Sequence, residues 1–388
     1  MVKALILNSG VGSRMGILTS EHPKCMTEVS SQETILSRQL RMLSEVGIRQ
    51  AVITTGPFAG TLMDYCHSLE LPIEITFVNN PDYRESNYIY SIYLAREYLD
   101  GDILLMHGDL VFENAVLDSL LAREESCMAV STSKPLPEKD FKAVLQDGQV
   151  IKVGVEYFRN AAAAQPLYCL RQEDWKLWLD KIVEFCESGE MRCYAENALN
   201  ELDGACHIAP LDVRDMLCSE VDDPADLAVV TAQLREVESR TVYMCFATDI
   251  LHSGHIAILK KAKRLGKLMI GVLSDKAVAG YKRFPLLPYE ERRAMLESLA
   301  GVSQVVEQRT LSYRENLETF RPDFVVHGDD WDSGFQKPIR DEVVSVLASY
   351  GGRLVEFPYA HDKKYQTLEL RARADLSLPD VRRARLRK

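Results

Sequence analysis

The sequence predicts an α/β protein with two domains, each built on a mostly parallel sheet flanked by helices. Three observations support this fold class. Short hydrophobic runs typical of buried strands alternate with longer amphipathic runs typical of helices. Glycine-bearing or acidic segments directly follow several of these strands, as at 8–16 and 107–109. A charged break at 238–240 separates a helical run from a new strand and places a domain boundary near 236–242.

Composition limits the class of protein. The chain has 388 residues, 46% of them hydrophobic and 27% charged, which is typical of globular domains with full cores. A net charge of −11 argues against nucleic-acid binding, which usually requires a basic surface. The N-terminal apolar run is too short for a signal peptide, and no run is long enough for a membrane span. We therefore expect a cytoplasmic protein, with its nine cysteines reduced.

The first strand is predicted over 3–7, and a glycine-bearing loop follows it at 8–16. Glycines let backbone N–H groups approach phosphates closely, and the side chains of Arg14 and Lys24 add positive charge. The loop lacks the GxxxxGK[ST] pattern, and its glycine spacing does not meet GxGxxG. We therefore predict a triphosphate cradle of another type, with these nucleotide-binding residues: Asn8, Gly10, Gly12, Ser13 and Arg14.

Acidic residues follow two later strands. HGD at 107–109 ends a strand predicted over 102–106, and EVDDP at 220–224 follows another short run. Carboxylates that converge on a phosphate cradle are suited to Mg²⁺, which bridges protein oxygens to substrate phosphates. The alternative is that these residues cap helices or face solvent.

Three further segments of the first domain bear on its site. A helix predicted over 174–188 has apolar residues at helical spacing, which indicates a core role for its tryptophans. A second helix is predicted over 194–202; its spacing alone does not place Glu196 and Asn197 near an acceptor, and that role is implied only by the family resemblance given below. The tyrosines 88, 90 and 93 either pack in a half-buried element or form an aromatic box for a cationic acceptor.

The second domain carries a different phosphate-binding pattern. A strand predicted over 241–245 leads into HSGH at 252–255, and GDDW follows a later strand at 328–331. Two histidines at the mouth of a helix, together with its free N–H groups, can face the same phosphates. Intervening strands and helices, including a strand over 267–273, place these motifs in an alternating α/β domain.

These motifs of residues 241–358 resemble the HxGH cytidylyltransferase family. The resemblance implies that His252 and His255 contact the phosphates of CTP, that Lys282 neutralises a phosphate and that Arg293 assists. Other residues implied to bind the nucleotide are Asp249, Asp330, Trp331 and Thr367. The stretch 362–370 departs from the family pattern, with Thr367 retained, so an active and an inactive second site both stay open.

Residues 1–238 resemble nucleotidyltransferases of the sugar-phosphate type, in particular the MobA-like and phosphocholine cytidylyltransferase branch. The matching pieces include the loop at 9–14, PK at 23–24 and EVDDP at 220–224. The resemblance implies that Asp109 and Asp222 hold Mg²⁺ with help from Glu220. It further implies that Lys24 and Arg14 hold the triphosphate, and that Asn87 and Tyr90 line the nucleotide and acceptor pocket.

Together the two resemblances imply two Rossmann-like nucleotidyltransferase domains, 1–238 and 239–360, and a basic tail at 361–388. The arrangement is similar to the N-terminal region of phosphoenolpyruvate mutase fusion proteins of phosphonate biosynthesis. That likeness implies a cytidylyltransferase joining CMP from CTP to 2-aminoethylphosphonate or 2-hydroxyethylphosphonate, with release of pyrophosphate. It also implies a homodimer and a mutase partner or downstream domain. The alternatives are a phosphocholine or polyol-phosphate cytidylyltransferase for cell-surface polymers, or one half serving as an inactive binding module.

Overall fold

The protein forms two compact units, Met1–Arg235 and Glu236–Lys388. Its structure is a computed structural model that describes residues 2–247, 250–281 and 285–358. Each unit contains a sheet flanked by helices, which confirms the predicted α/β fold.

The first unit is built around β1 (Lys3–Asn8), whose apolar run KALILN is almost completely buried. A strand buried on both faces is typical of a parallel sheet covered by helices. The other strands are β2 (Gln50–Thr55), β3 (Glu74–Asn79), β4 (Ile103–His107), β5 (Leu110–Phe112), β6 (Cys127–Ser131), β7 (Lys142–Gln146), β8 (Gln149–Gly154), β9 (Ala161–Leu170), β10 (Ala209–Asp212) and β11 (Cys218–Glu220).

These strands form a nine-stranded sheet and a separate two-stranded one. Along the main path the order is β10-β6-β9-β4-β1-β2-β3, and β7 and β8 extend from β9 as a hairpin. The strands β1 to β4 pair in parallel, whereas β9 runs antiparallel to β4 and β6. The carboxyl ends of β1 and β4 therefore meet at one edge, where ligands of such sheets bind.

Helices cover both faces of this sheet. Helix α1 begins after Thr34, whose hydroxyl accepts from the N–H of Ser37 in a capping box. As the sequence predicts, Trp175 and Trp178 belong to the core, and both indole N–H groups donate to backbone carbonyls. These helices are α1 (Ile35–Glu45), α2 (Ala59–Ser68), α3 (Tyr88–Ala95), α4 (Asn114–Leu121), α5 (Gln172–Glu187) and α6 (Ala195–Asn200). The last helix, α7 (Pro224–Ser239), extends past the end of this unit at Arg235.

The second unit contains a five-stranded sheet in which all pairs are parallel. Its strands are β12 (Thr241–Phe246), β13 (Lys267–Leu273), β14 (Val302–Gln308), β15 (Phe324–Gly328) and β16 (Arg353–Phe357). Their order is β14-β13-β12-β15-β16, which brings the ends of β12 and β15 side by side. The motifs HSGH and GDDW follow these two adjacent strands, as the alternating α/β pattern predicts.

Helices connect the strands of the second unit. They are α8 (Ser253–Lys263), α9 (Asp275–Tyr281), α10 (Tyr289–Glu297), α11 (Arg314–Phe320) and α12 (Lys337–Ala348). Among the described residues, no helix combines the length and the apolar character that crossing a membrane requires.

Candidate functional site

A cavity of about 390 Å³ opens at the carboxyl ends of β1 and β4 in the first unit. The parallel register sets Leu7 beside His107, so the loops that follow both strands reach the same space. The residues predicted to bind the nucleotide triphosphate or the metal in the first domain line this cavity: Asn8, Gly10, Gly12, Ser13, Arg14, Lys24, Asn87, Asp109, Glu220 and Asp222. The structure thus gathers residues that lie more than two hundred positions apart in the chain.

The glycine-bearing loop lies over this cavity, and Gly12 is required for its path. Gly12 has φ +68°, a left-handed conformation that side chains rarely adopt, and an added Cβ would lie 3.1 Å from Cβ of Lys24. On the adjacent strand end, an added Cβ at Gly108 would lie 1.6 Å from Oδ1 of Asn8. Lys24 therefore leaves little room for a side chain at Gly12, and the end of β1 leaves none at Gly108.

Lys24 is the central charge of the cavity. Its ammonium contacts Oδ2 of Asp109 and lies 2.8 Å from Oδ1 of Asp222. Arg14 reaches the same Asp222 oxygen at 2.8 Å from the exposed side. The lysine therefore ties together two carboxylates that come from distant segments of the chain.

The charges of this group support one another. Burial disfavours the charged form of Lys24, but Asp109 and Asp222 outweigh that effect and raise the pKa of the ammonium. Burial also opposes ionisation of Asp109, yet Lys24 and His107 lower the pKa of this carboxyl. A cationic lysine and an anionic aspartate at neutral pH follow from these directions.

The cluster suited to a metal differs from the predicted one. The structure brings together His107, Asp109 and Glu220, with ligand atoms all within 4.8 Å of one another, and Nδ1 of His107 lies 3.0 Å from Glu220. Asp222, which the sequence analysis assigned to the metal, lies outside this cluster and pairs with Lys24 and Arg14. His107 was missed, although its place in HGD at the end of a strand was a usable signal.

Oδ1 of Asp109 is buried and has no hydrogen-bond partner among the described residues, because Lys24 contacts the other oxygen. An unsatisfied carboxylate oxygen beside an imidazole and a second carboxylate fits a divalent cation. The residues present therefore suit a metal. That Asp109 and Glu220 are its ligands remains a prediction.

A second cavity of about 320 Å³ adjoins the first, and Asn87, Phe141 and Tyr194 line both. Its floor includes Glu196, which is 1% exposed. Tyr88 and Tyr168 donate their hydroxyl protons to the two oxygens of this carboxylate. The region predicted to meet an acceptor is therefore aromatic and carries a buried acid.

A third cavity of about 190 Å³ extends from the other side of Asn87. It is lined by the polar residues Ser9, Asn80, Ser86 and Ser91. The Asn80 amide donates to the hydroxyls of Ser86 and Ser91, each at 3.0 Å, which fixes the wall. Asn87 itself caps α3 by accepting from the N–H of Tyr88, so helix formation holds it between the three cavities.

The tyrosines of α3 do not form one aromatic box. Tyr88 lines the cavities, but Tyr90 and Tyr93 stack on each other with centroids 5.8 Å apart. Arg96 lies 4.2 Å from the ring of Tyr93. A helix turns these positions to different sides, so Tyr90, expected in the pocket, packs against the core instead.

Lys142 supports the wall shared by the first two cavities. Its side chain is fully buried, and Nζ donates to the carbonyls of Glu138, at 3.2 Å, and Val155, at 2.6 Å. The same ammonium lies 4.2 Å from the ring centroid of Phe158. Lys142 thus joins the two segments that carry Phe141 and Val155 to the cavities.

Replacing Lys142 with methionine should lower the free energy of unfolding by about 1–3 kcal/mol, because two carbonyls lose their donor. Denaturant unfolding measures this change. Lys152→Met is the matched control, since Lys152 is exposed on the neighbouring strand β8. Equal stability of the two variants would contradict the role assigned to Lys142.

In the second unit, His252 and His255 lie together at the start of α8. Their ring centroids are 3.9 Å apart. His252 is the N-cap of the helix, and its Nδ1 accepts from the N–H of Gly254 at 3.1 Å. The pairing of the two imidazoles agrees with the arrangement predicted from HSGH.

Other predicted residues of the second unit have contacts that the sequence did not indicate. Arg293 is exposed and pairs with Glu297 at 2.8 Å, whereas its neighbour Arg292 is fully buried and bonds to Asp275. Because adjacent positions on a helix face different directions, only one of these arginines points inward.

Trp331 is 1% exposed and packs in the core of the second unit. Its ring stacks on His327 at 3.7 Å, and its N–H donates to Glu356 at 2.6 Å. Asp330 lies beside the same histidine, at 3.7 Å from Nδ1. Trp331, which was expected to contact the nucleotide, therefore has a structural role in the core. The predictions for Asp249, Lys282 and Thr367 lie outside the described residues.

Comparison with known proteins finds a matching family model in each of the two units. Residues 4–194 match the family model of the MobA-like NTP transferase domain. Residues 247–373 match the family model described as cytidylyltransferase-like. The chain has a two-domain, cytidylyltransferase-like architecture. The prediction of a nucleotidyltransferase-type protein is thus confirmed at the level of its domains.

Two curated relatives and one solved structure illustrate the likeness. A CMP-5'-(3-aminopropyl)phosphonate synthase of Streptomyces rubellomurinus is 32% identical over 237 residues, which are 58% of this chain and 37% of the relative. A CTP:phosphoglutamine cytidylyltransferase of Campylobacter jejuni is 28% identical over 160 residues, which are 39% of this chain and 62% of the relative. The chain therefore spans less than two thirds of either relative.

The solved structure of CTP:phosphocholine cytidylyltransferase from Streptococcus pneumoniae has a TM-score of 0.50 and 20% identity to this chain. The match covers 60% of this chain and 99% of that one. At this identity the likeness shows a common fold, which is the Rossmann-like nucleotidyltransferase fold predicted from the sequence.

Proposed function

We propose that the first unit transfers CMP from CTP to a phosphonate oxygen and releases pyrophosphate. The observation that carries this proposal is the position of Lys24 between Asp109 and Asp222, under a glycine-bearing loop and beside a second cavity. One cavity accommodates a triphosphate, and its neighbour accommodates an acceptor.

In the proposed reaction an acceptor oxygen forms a bond with the α-phosphorus of CTP. The bond from this phosphorus to the bridging oxygen of the β-phosphate breaks, and pyrophosphate leaves with the electron pair. All participants are anions, so fixed cations lower the barrier mainly by electrostatics and alignment. Lys24 and Arg14 supply these cations, and a divalent cation at Asp109 would supply further neutralisation when bound.

Two observations support an aminoalkylphosphonate as the acceptor. The relative from Streptomyces rubellomurinus carries such a substrate class in its name. The second cavity combines the buried carboxylate of Glu196 with the rings of Phe141 and Tyr194, which lie 4.9 Å apart. A carboxylate and aromatic faces are suited to an alkylammonium group. The same features would accept phosphocholine, which is the second candidate.

For the second unit, we propose that His252, His255 and the N-terminus of α8 bind the phosphates of a nucleotide. Phosphate binding at this position is compatible with a second catalytic site and also with a binding module that has no activity. A role in phosphonate metabolism is part of the same proposal, and the resemblance of the sequence to phosphoenolpyruvate mutase fusion proteins supports it.

Pyrophosphate release from CTP tests the proposal. The acceptors are 2-aminoethylphosphonate, 2-hydroxyethylphosphonate, phosphocholine and glycerol-3-phosphate, each with a divalent cation. We expect the highest kcat/KM with 2-aminoethylphosphonate. If CTP binds and no acceptor releases pyrophosphate, the transferase proposal fails and a binding function replaces it.

The same assay assigns the working unit. Asp109→Asn removes a charge from the first unit, and His255→Gln removes an imidazole from the second. The variant that loses turnover with a given acceptor identifies the unit that uses it. Loss in both would mean that the two units act on one reaction.

A further inference from the structure

The cluster of His107, Asp109 and Glu220 contains a nitrogen donor, and this distinguishes it from a site of oxygen ligands alone. His107 ends β4, and Asp109 follows two residues later. Glu220 ends β11, which pairs with β5 so that Glu220 lies opposite Leu110. The N–H of Val221 also donates to the carbonyl of Asp109 at 3.0 Å. Backbone pairing therefore brings the three side chains together.

The backbone around His107 is held by a buried side chain that lies outside the cluster. Gln39 is 2% exposed, and its amide donates to the carbonyls of His107, at 3.0 Å, and Leu110, at 2.8 Å. The ring of Tyr88 packs edge-on against the imidazole, with centroids 4.9 Å apart. The backbone hydrogen bonds and the ring contact together hold the imidazole of His107 in one orientation towards the cluster.

We propose that His107, Asp109 and Glu220 form a mixed nitrogen and oxygen site that binds a transition-metal dication more tightly than Mg²⁺. The use of this ion in CMP transfer rests on the proposed function. The binding itself depends only on the three side chains. Their ligand atoms lie within 4.8 Å of one another, close to the roughly 3–4 Å that separates ligands around one small dication.

The donor set decides the preference. Mg²⁺ favours oxygen ligands and keeps several waters, whereas imidazole nitrogen suits first-row transition ions. Oδ2 of Asp109 contacts the ammonium of Lys24, and Oδ1 has no hydrogen-bond partner among the described residues. Asp222 pairs with Lys24 and Arg14 and lies outside the cluster. The site thus uses one imidazole where the sequence predicted a second aspartate.

Manganese binding to the substrate-free full chain tests this inference. Because the second unit has its own histidines, all samples carry His252→Gln and His255→Gln. Mn²⁺ affinity is measured from the electron paramagnetic resonance of the free ion, and Mg²⁺ affinity by competition. We expect Mn²⁺ to bind on the order of tenfold more tightly than Mg²⁺. Electron spin echo modulation should show coupling of bound Mn²⁺ to imidazole ¹⁴N.

Adding His107→Gln should remove the ¹⁴N coupling and weaken Mn²⁺ binding by about tenfold or more, while Mg²⁺ binding changes little. Glutamine can still donate to Glu220, so the fold should be kept, and thermal unfolding verifies this. His67→Gln is the matched control because His67 is exposed on α2. Bound Mn²⁺ without ¹⁴N coupling, or equal affinities in the His107 variant, would overturn the inference.

The outcome is separable from the proposed function. Suppose that bound Mn²⁺ couples to imidazole ¹⁴N but the protein releases no pyrophosphate with any acceptor. The metal site would then be supported and the transferase proposal would fail. Turnover supported by Mg²⁺, together with bound Mn²⁺ that shows no coupling to nitrogen, would support the transferase proposal and end the metal-site inference.

Discussion

Replacing Lys24 with methionine is expected to reduce kcat/KM for CMP transfer by about 10²–10³-fold, the usual cost of removing one preorganised charge from such a site. Methionine keeps the length and apolar stem of the side chain but not the ammonium. Lys24 is the point where Asp109 and Asp222 meet, and its side chain is 14% exposed. Its charge is therefore poorly replaced by water, and pyrophosphate release measures the loss.

Two further variants separate catalysis from folding. Lys176→Met removes a lysine from the exposed side of α5 and should leave the rate unchanged. Lys24→Arg keeps the charge in a planar group that cannot reproduce the point contact of an ammonium, so partial activity is expected. Thermal unfolding of all three shows whether the unscreened aspartates destabilise the fold. A fully active Lys24→Met protein would contradict the role of Lys24.

The carboxyl edge of the first sheet was predictable from sequence because it depends on local signals. The run KALILN is typical of a buried strand, and Gly12 in the loop after it has a positive φ that other residues rarely adopt. Parallel pairing then brings the segments after β1 and β4 together. For this reason the residues assigned to the phosphates and the metal line one cavity, whereas Tyr90 packs against the core.

The metal-suited cluster was harder to predict because it depends on a pairing between distant segments. His107 and Glu220 are 113 positions apart, and only the register of β11 on β5 decides which acidic residue meets the imidazole. A one-residue shift in register would move every side chain of the strand to its other face. The sequence pattern EVDDP contains several acids and does not choose between Glu220 and Asp222.

Arg293 and Trp331 illustrate the same limit in the second unit. Two adjacent arginines on α10 look equivalent in sequence, and their surroundings decide that Arg292 is buried while Arg293 is exposed. The motif GDDW indicates a site, but the stacking of Trp331 on His327 and its bond to Glu356 come from packing beside β16. Tertiary contacts therefore assign these side chains, and a motif alone does not.

Changing Glu196 to glutamine is expected to lower kcat/KM for 2-aminoethylphosphonate by about 10- to 100-fold, the range of a lost charge-assisted hydrogen bond. Turnover of 2-hydroxyethylphosphonate should change little, because a hydroxyl has no positive charge. The carboxylate is 1% exposed, and among the described residues the neutral hydroxyls of Tyr88 and Tyr168 donate to its negatively charged oxygens. Glutamine keeps the shape and removes that charge.

The control for this prediction removes the same charge from the same cavity. Glu156 also lines it but is exposed, so water screens its carboxylate and Glu156→Gln should have a much smaller effect. Comparing the two acceptors on both variants isolates recognition of the amine from general damage to the site. If Glu196→Gln slows both acceptors equally, the carboxylate holds the fold of the pocket. A loss confined to the amine would make Glu196 the residue that selects the acceptor, because only the charged group distinguishes the two substrates.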